Sequence, residues 1–127
     1  MAPNLFSSGF FEELVKTLNN DPEFKTKTAS VAATVLMVNR DLKTSHLITI
    51  SKGTATYTGP GTEETKADFV FIGDSATWIA NHKGEIPMEK AVMTGKLKFK
   101  GSLPKIMSLR AQLTVIDNIA QKVPAEF

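Results

Sequence analysis

Apolar residues repeat every three to four positions near both ends of the chain, and this spacing predicts two amphipathic helices. The first spans Ser8–Asn19, and its apolar face carries Phe11, Leu14, Val15 and Leu18. The last begins after Ser102 and ends at Pro124, and its apolar face carries Leu103, Ile106, Leu109, Leu113, Ile116 and Ala120. Residues 25–30 lack this spacing and are predicted to form a connector.

Between the two helices the pattern changes to short apolar runs and to alternation, both typical of β-strands. Five strands are predicted, at residues 31–39, 45–52, 54–58, 66–72 and 96–100, with a loop at 59–61. The fifth alternates strictly, so Lys96, Lys98 and Lys100 share one face while Leu97 and Phe99 share the other.

Two short helices are predicted between the fourth and fifth strands. Asp74 is a suitable N-cap for the first, and Pro87 suits the first position of the second, which ends at Gly95. No linker or internal repeat divides the sequence, so residues 1–127 are predicted to form a single domain. The order of elements predicts an α+β fold: one mixed five-stranded sheet with helices covering one face.

Composition narrows the class of protein. A length of 127 residues with 42% hydrophobic residues suits one domain with its own core. No apolar run approaches the roughly 18–20 residues of a membrane span, and the N-terminus lacks a signal-peptide pattern. We therefore expect a cytoplasmic protein. The absence of cysteine excludes disulfides, thiol nucleophiles and thiolate metal sites.

The charge is nearly balanced overall but uneven along the chain. Fifteen basic residues against 13 acidic ones give a net charge of +2, which argues against a nucleic-acid partner. The segment from Lys90 to Leu113 nevertheless holds six basic residues and no acidic one. This segment is interpreted either as a solvated face or as a contact with an anionic surface. In the second case, Lys96, Lys98 and Lys100 are the predicted membrane-contact residues.

Catalytic and metal-binding patterns are sparse. His46 and His82 have no metal-ligand spacing around them and are interpreted as surface or structural residues. Glu12–Glu13 and Glu63–Glu64 are adjacent carboxylates without the opposed arrangement that acid–base catalysis needs. The sequence also lacks a phosphate loop, a nucleophile elbow and a dinucleotide fingerprint. We therefore predict no enzymatic activity, no metal and no cofactor.

Apolar residues are concentrated between Trp78 and Met107, largely on the short helices. Three of the five methionines fall in this segment, and methionine suits surfaces that accommodate ligands of variable shape. Apolar stripes at helical spacing more often fill a core. Both interpretations, a filled core and a ligand cavity, remain open at this point.

Part of this segment resembles the sterol carrier protein type 2 family. The resemblance rests on DSATW at 74–78, GEIPMEKA at 84–91 and MTGKLKFKGS at 93–102, with Ala67 and Asp68 before them. The order of elements agrees over nearly the whole chain. The resemblance implies a sheet in the order 3-2-1-4-5 and helices that enclose an apolar tunnel. It also implies non-enzymatic binding and transfer of sterols, fatty acids, fatty acyl-CoAs or phospholipids.

The resemblance and the apolar cluster together predict a lipid site. Its expected lining residues are Phe69, Phe71, Trp78, Ile79, Met88, Val92, Met93, Leu97, Phe99, Leu103, Ile106 and Met107. As the only tryptophan, Trp78 is the expected fluorescence reporter of binding. The C-terminal residues do not resemble a peroxisomal signal, which also favours the cytoplasm. An accessory module that presents a hydrophobic groove to a partner protein is the alternative function.

Overall fold

Five strands form one mixed sheet in a computed structural model that describes residues 2–61 and 65–127. The strands are β1 (Ala32–Asn39), β2 (Thr44–Ser51), β3 (Thr54–Gly61), β4 (Phe69–Gly73) and β5 (Lys98–Gly101). Their spatial order is β3-β2-β1-β4-β5. Strand β1 pairs antiparallel with β2 and parallel with β4, so the predicted mixed sheet is confirmed. The predicted carboxylate pair Glu63–Glu64 lies outside the described residues.

The helices pack on one face of this sheet, as the α+β prediction states. They are α1 (Ser8–Asn19), α2 (Pro22–Lys27), α3 (Ser75–His82), α4 (Met88–Met93), α5 (Leu103–Ser108) and α6 (Arg110–Lys122). Phe11, Leu14 and Leu18 of α1 are buried against β-strand residues such as Val35 and Ile48 in one core. Burial of the apolar stripe of α1 therefore fixes this helix on the sheet.

Strand β5 begins at Lys98 and not at Lys96, which lies in a bend before it, and β4 begins at Phe69 and not at residue 66. Three other predicted boundaries are wrong for local reasons. Helix α2 occupies part of the predicted connector, because Asp21 accepts a hydrogen bond from the Phe24 N–H at 2.9 Å and Phe24 is fully buried. Strand β3 includes the predicted loop at 59–61, past a register shift between Leu47 and Ile48. Its Pro60 needs no N–H partner on an edge strand. The predicted last helix is broken at Leu109 into α5 and α6.

The opposite face of the sheet carries a smaller apolar cluster of Leu36, Val38, Val70 and Ile72. Lys98 is the cross-strand partner of Ile72, and Lys100 is the partner of Val70. Directly opposed residues share a face, so these two lysines lie on the side away from the helices. On the helix side, Phe99 is the partner of Phe71.

Candidate functional site

A cavity of about 470 Å³ lies between strands β4 and β5 and helices α4, α5 and α6. This volume falls within the roughly 300–1,000 Å³ typical of small-molecule sites. The described residues that border it are apolar except for Glu89, Arg110 and Thr114. The full set is Phe71, Pro87, Met88, Glu89, Val92, Met93, Phe99, Leu103, Ile106, Met107, Arg110, Leu113 and Thr114.

The short helices leave this space unfilled for reasons present in the sequence. Pro87 directly precedes α4, and Ser102 caps α5 by accepting a hydrogen bond from the Lys105 N–H at 3.4 Å. Each of these helices has only six residues; Ala91 is the buried residue of α4, and α5 has none. The floor beneath them is formed by Phe71 and Phe99, whose ring centroids are 5.3 Å apart. A helix that buries no side chain cannot fill the volume beside it.

Much of the rim of the cavity is apolar and open to solvent. Met93 is 78% exposed, Met107 is 62% exposed and Leu103 is 61% exposed. All three residues border the cavity. Contiguous exposed apolar surface marks a ligand groove, a membrane contact or a protein interface. The rim therefore continues the apolar lining out to the protein surface.

The cavity brings together many of the lining residues that the sequence predicts. These are Phe71, Met88, Val92, Met93, Phe99, Leu103, Ile106 and Met107. Five further residues border the cavity without having been predicted from the sequence: Pro87, Glu89, Arg110, Leu113 and Thr114. The helical spacing that puts Leu113 on the apolar face of the last helix was the available signal for that residue. The sequence contains no such signal for Glu89 and Arg110, because neither residue belongs to an apolar pattern.

The other predicted lining residues, Phe69, Trp78, Ile79 and Leu97, do not border the cavity. Phe69 and Leu97 are almost fully buried, and Leu97 fills the space above Gly73 beside Trp78. The Trp78 indole Nε1–H donates to the Val38 carbonyl at 2.9 Å. Ile79 is only partly buried, on α3. Because Trp78 belongs to the packed core, its fluorescence is a poor reporter of events in the cavity.

A buried carboxylate fixes the start of α4 at the cavity wall. Asp117 of α6 accepts hydrogen bonds from Asn81 Nδ2 at 3.0 Å and from the Met88 N–H at 3.2 Å. Asn81 also donates to the Ile86 carbonyl at 3.0 Å. Burial raises the pKa of Asp117, against the opposing effect of the two hydrogen bonds. This network ties α3, α4 and α6 together next to the bordering residue Met88.

His46 has a structural position, in agreement with its interpretation from the sequence. Its Nε2 lies 3.1 Å from the Phe6 carbonyl, which only accepts, so Nε2 carries the hydrogen. Its Nδ1 then accepts from the Tyr57 hydroxyl at 2.7 Å. The imidazole also stacks on Phe11 with centroids 4.4 Å apart, and burial lowers the His46 pKa. A neutral, doubly hydrogen-bonded imidazole holds α1 and the N-terminal segment on the sheet.

His82 has a packing role beside the C-terminal residue. His82 packs edge-on against Phe127, with centroids 5.7 Å apart, and burial lowers its pKa. Across residues 2–61 and 65–127, no three histidine or acidic side chains come together as metal ligands. Within the same ranges, no helix is both long enough and apolar enough to cross a bilayer.

Comparisons with known proteins agree with this architecture. The family model described as the SCP-2 sterol transfer family matches residues 11–114. A solution structure of a conserved hypothetical protein from Thermus thermophilus, described as possibly a sterol carrier protein, has a TM-score of 0.81 at 17% identity, covering 99% of this chain and 97% of that one. A crystal structure of sterol carrier protein 2 has a TM-score of 0.80 at 21% identity, covering 95% and 100%.

The same fold also occurs within a larger enzyme. A stereoselective inverting sec-alkylsulfatase from Pseudomonas sp. matches with a TM-score of 0.63 at 21% identity. That match covers 97% of this chain but only 17% of the sulfatase chain. At this level of identity, the likeness concerns the fold alone. No curated protein sequence matches the chain significantly.

Proposed function

Since the chain belongs to the SCP-2 sterol transfer family, we propose that it binds the apolar chain of a lipid in the cavity above Phe71 and Phe99. The ligand is a fatty acid, a fatty acyl-CoA, a phospholipid or a sterol, which the protein carries without a chemical step. The observation that carries this proposal is a cavity with almost wholly apolar walls that opens through an apolar rim. The cytoplasmic location favoured by the sequence is part of the proposal.

Burial of the lipid chain supplies the binding free energy. Each methylene moved from water into an apolar cavity contributes about 0.8 kcal/mol. A chain of eight to ten buried methylenes therefore gains about 6–8 kcal/mol before the entropy cost of association is subtracted. Micromolar binding requires about 8 kcal/mol of net free energy, so it needs more buried methylenes than these or an additional polar contact. The fit to the chain relies on the adaptable side chains of Met88, Met93 and Met107.

We expect affinity to rise with chain length in a series of saturated alcohols. The rise should be about fourfold per methylene until the cavity is full, because 0.8 kcal/mol corresponds to about that factor. Calorimetric titration of delipidated protein measures this slope. Absence of binding, or affinity that does not depend on chain length, would contradict the proposed function.

Release of the ligand at an anionic membrane is the second part of the proposal. Lys98 and Lys100 are exposed on edge strand β5, whose other face carries Phe99 on the cavity floor, and Lys96 is exposed in the bend just before this strand. A basic residue near an anionic surface contributes about 1 kcal/mol. Three such residues give weak and reversible docking close to the cavity, which suits a carrier that must also leave the membrane.

Replacement of Lys96, Lys98 and Lys100 by Gln should slow the transfer of a fluorescent fatty acid to anionic vesicles several-fold. Three engaged lysines together contribute only a few kcal/mol, and added salt should slow the parent protein in the same way. The matched control replaces Lys16, Lys25 and Lys27, which are exposed on α1 and α2. Equal slowing by both triple variants, or equal parent rates to neutral and anionic vesicles at low salt, would show that Lys96, Lys98 and Lys100 do not dock on the membrane.

A second candidate function is that of an accessory module for an enzyme. The observation in its favour is the exposed apolar rim of the cavity, and the same fold also forms a small part of an alkylsulfatase chain. The exposed rim of Met93, Leu103 and Met107 fits a protein partner as well as a bilayer. Native mass spectrometry separates the two functions, because a carrier retains lipid whereas an accessory module is found with its partner and without lipid.

A further inference from the structure

Two opposite charges face each other at the edge of the cavity. Arg110 Nη2 at the start of α6 lies 2.5 Å from Glu89 Oε1 of α4. Both residues border the cavity, whereas most of its other bordering residues are apolar. Their side chains are 60% and 47% exposed, so the pair lies at the mouth rather than in the interior. Because it joins α4 to α6, this pair bridges two walls of the cavity.

On the basis of the proposed function, we propose that Arg110 binds the anionic head group of a single-chain lipid. Glu89 occupies the same guanidinium in the empty protein and is displaced when the ligand enters. The ligand class is therefore an amphiphile with one apolar chain and a terminal carboxylate or phosphate. Its chain lies over Phe71 and Phe99, and its head remains at the mouth.

The chemistry of the mouth suits this head group. A guanidinium presents five N–H donors in a planar fork that matches the oxygens of a carboxylate or a phosphate. Thr114 also borders the cavity and lies one helical turn after Arg110, so its hydroxyl is on the same face of α6. The positive charge and a neighbouring hydroxyl thus lie where an apolar chain would emerge into water.

The exposure of the pair makes the exchange inexpensive. Ion pairs between exposed side chains contribute little stability, since water screens the charges and both side chains lose rotamer freedom. Breaking the ion pair between Glu89 and Arg110 therefore costs much less free energy than burial of the lipid chain contributes. The freed Glu89 carboxylate competes with an anionic head group for the Arg110 guanidinium. Glu89 therefore lowers the affinity for anionic ligands and leaves the affinity for neutral ligands unchanged.

Binding titrations of the delipidated full chain with palmitate, hexadecanol and 1-palmitoyl lysophosphatidate test this proposal at pH 8. Arg110→Gln should weaken binding of the anionic ligands about tenfold, the typical effect of a lost charge-assisted hydrogen bond, and should leave hexadecanol unchanged. Glu89→Gln should tighten binding of the anionic ligands by about two- to fivefold, the strength of an exposed ion pair. The double variant should match Arg110→Gln, because Glu89 acts through Arg110.

Lys90→Gln is the matched control for net charge. Lys90 follows Glu89 on α4 and is exposed, but it does not border the cavity. Its replacement removes the same charge as Arg110→Gln and should leave palmitate affinity unchanged. An equal loss in both variants would reduce the role of Arg110 to general attraction and overturn the proposal.

The three ligands separate the possible failures. Equal weakening of palmitate and hexadecanol by Arg110→Gln would show that this residue only shapes the cavity, which overturns head-group recognition and leaves the proposed function intact. Failure of the parent protein to bind any of the ligands would overturn both proposals. A tenfold effect limited to lysophosphatidate would support recognition and identify the head group as a phosphate, and one limited to palmitate would identify a carboxylate.

Discussion

Replacement of Ile106 by Trp should weaken the binding of a C16 lipid about 200-fold. The indole would occupy space in the cavity and displace about four methylenes of the chain, which costs about 3 kcal/mol. Ile106 borders the cavity from α5 and is only partly buried, so the larger side chain can be accommodated without disrupting the core. Val92→Trp, from α4 on another wall, should have a comparable effect.

Titration with hexadecanol measures this loss, because a neutral ligand reports on the cavity without the charges at its mouth. The control variant is Leu42→Trp, since Leu42 is 53% exposed in the turn before β2 and does not border the cavity. It should bind hexadecanol with the parent affinity. If both cavity variants fold, as judged by circular dichroism, and still bind normally, the lipid occupies another place.

Asp117→Ala should lower the free energy of unfolding by about 1–3 kcal/mol, with a larger loss at pH 4 than at pH 7. The substitution leaves the Asn81 amide and the Met88 N–H without their acceptor. Burial raises the pKa of Asp117 in the native protein above its value in the unfolded chain. At a pH between these two pKa values, the native protein binds more protons than the unfolded chain does. The stabilising contribution of Asp117 is therefore complete below the ordinary aspartate pKa and decreases as pH rises through the native one.

Urea unfolding at both pH values measures this difference. Asp74→Ala is the control of opposite sign, because hydrogen bonds from Thr77 lower the Asp74 pKa. The contribution of Asp74 is present above the ordinary aspartate pKa and is lost as pH falls through the native value. Both pH values lie above the ordinary aspartate pKa, so its substitution should cost no more at pH 4 than at pH 7. The same pH trend for both variants would contradict the assigned role of Asp117.

The sequence predicts the sheet well because strand periodicity depends on local residues. The alternation of Lys98, Phe99 and Lys100 determines which face of β5 meets the core, whatever the neighbouring strand is. Helix α2 was not predicted because Phe24 is its one buried residue, and a single apolar position does not produce a helical repeat. The break at Leu109 escaped prediction because apolar spacing continues through it from α5 into α6.

The lining residues of the cavity were predicted only in part, for a physical reason. Phe69 and Phe71 lie two positions apart on β4 and share its inner face, yet only Phe71 borders the cavity. Periodicity identifies an inward face but not whether another side chain covers it. Leu97 illustrates the same point, because it packs over Gly73 beside Trp78 instead of facing open space. Such differences arise from packing between elements that are distant in the sequence.

The most direct test of the lipid cavity uses the methionine methyl groups in isotope-edited NMR. Met88, Met93 and Met107 border the cavity, whereas Met37 on β1 does not, so it serves as an internal control. With bound palmitate, the first three methyl groups should show nuclear Overhauser contacts to the methylenes of the acyl chain, and Met37 should show none. Saturating palmitate that gives no contact to Met88, Met93 or Met107 would contradict a lipid site in this cavity.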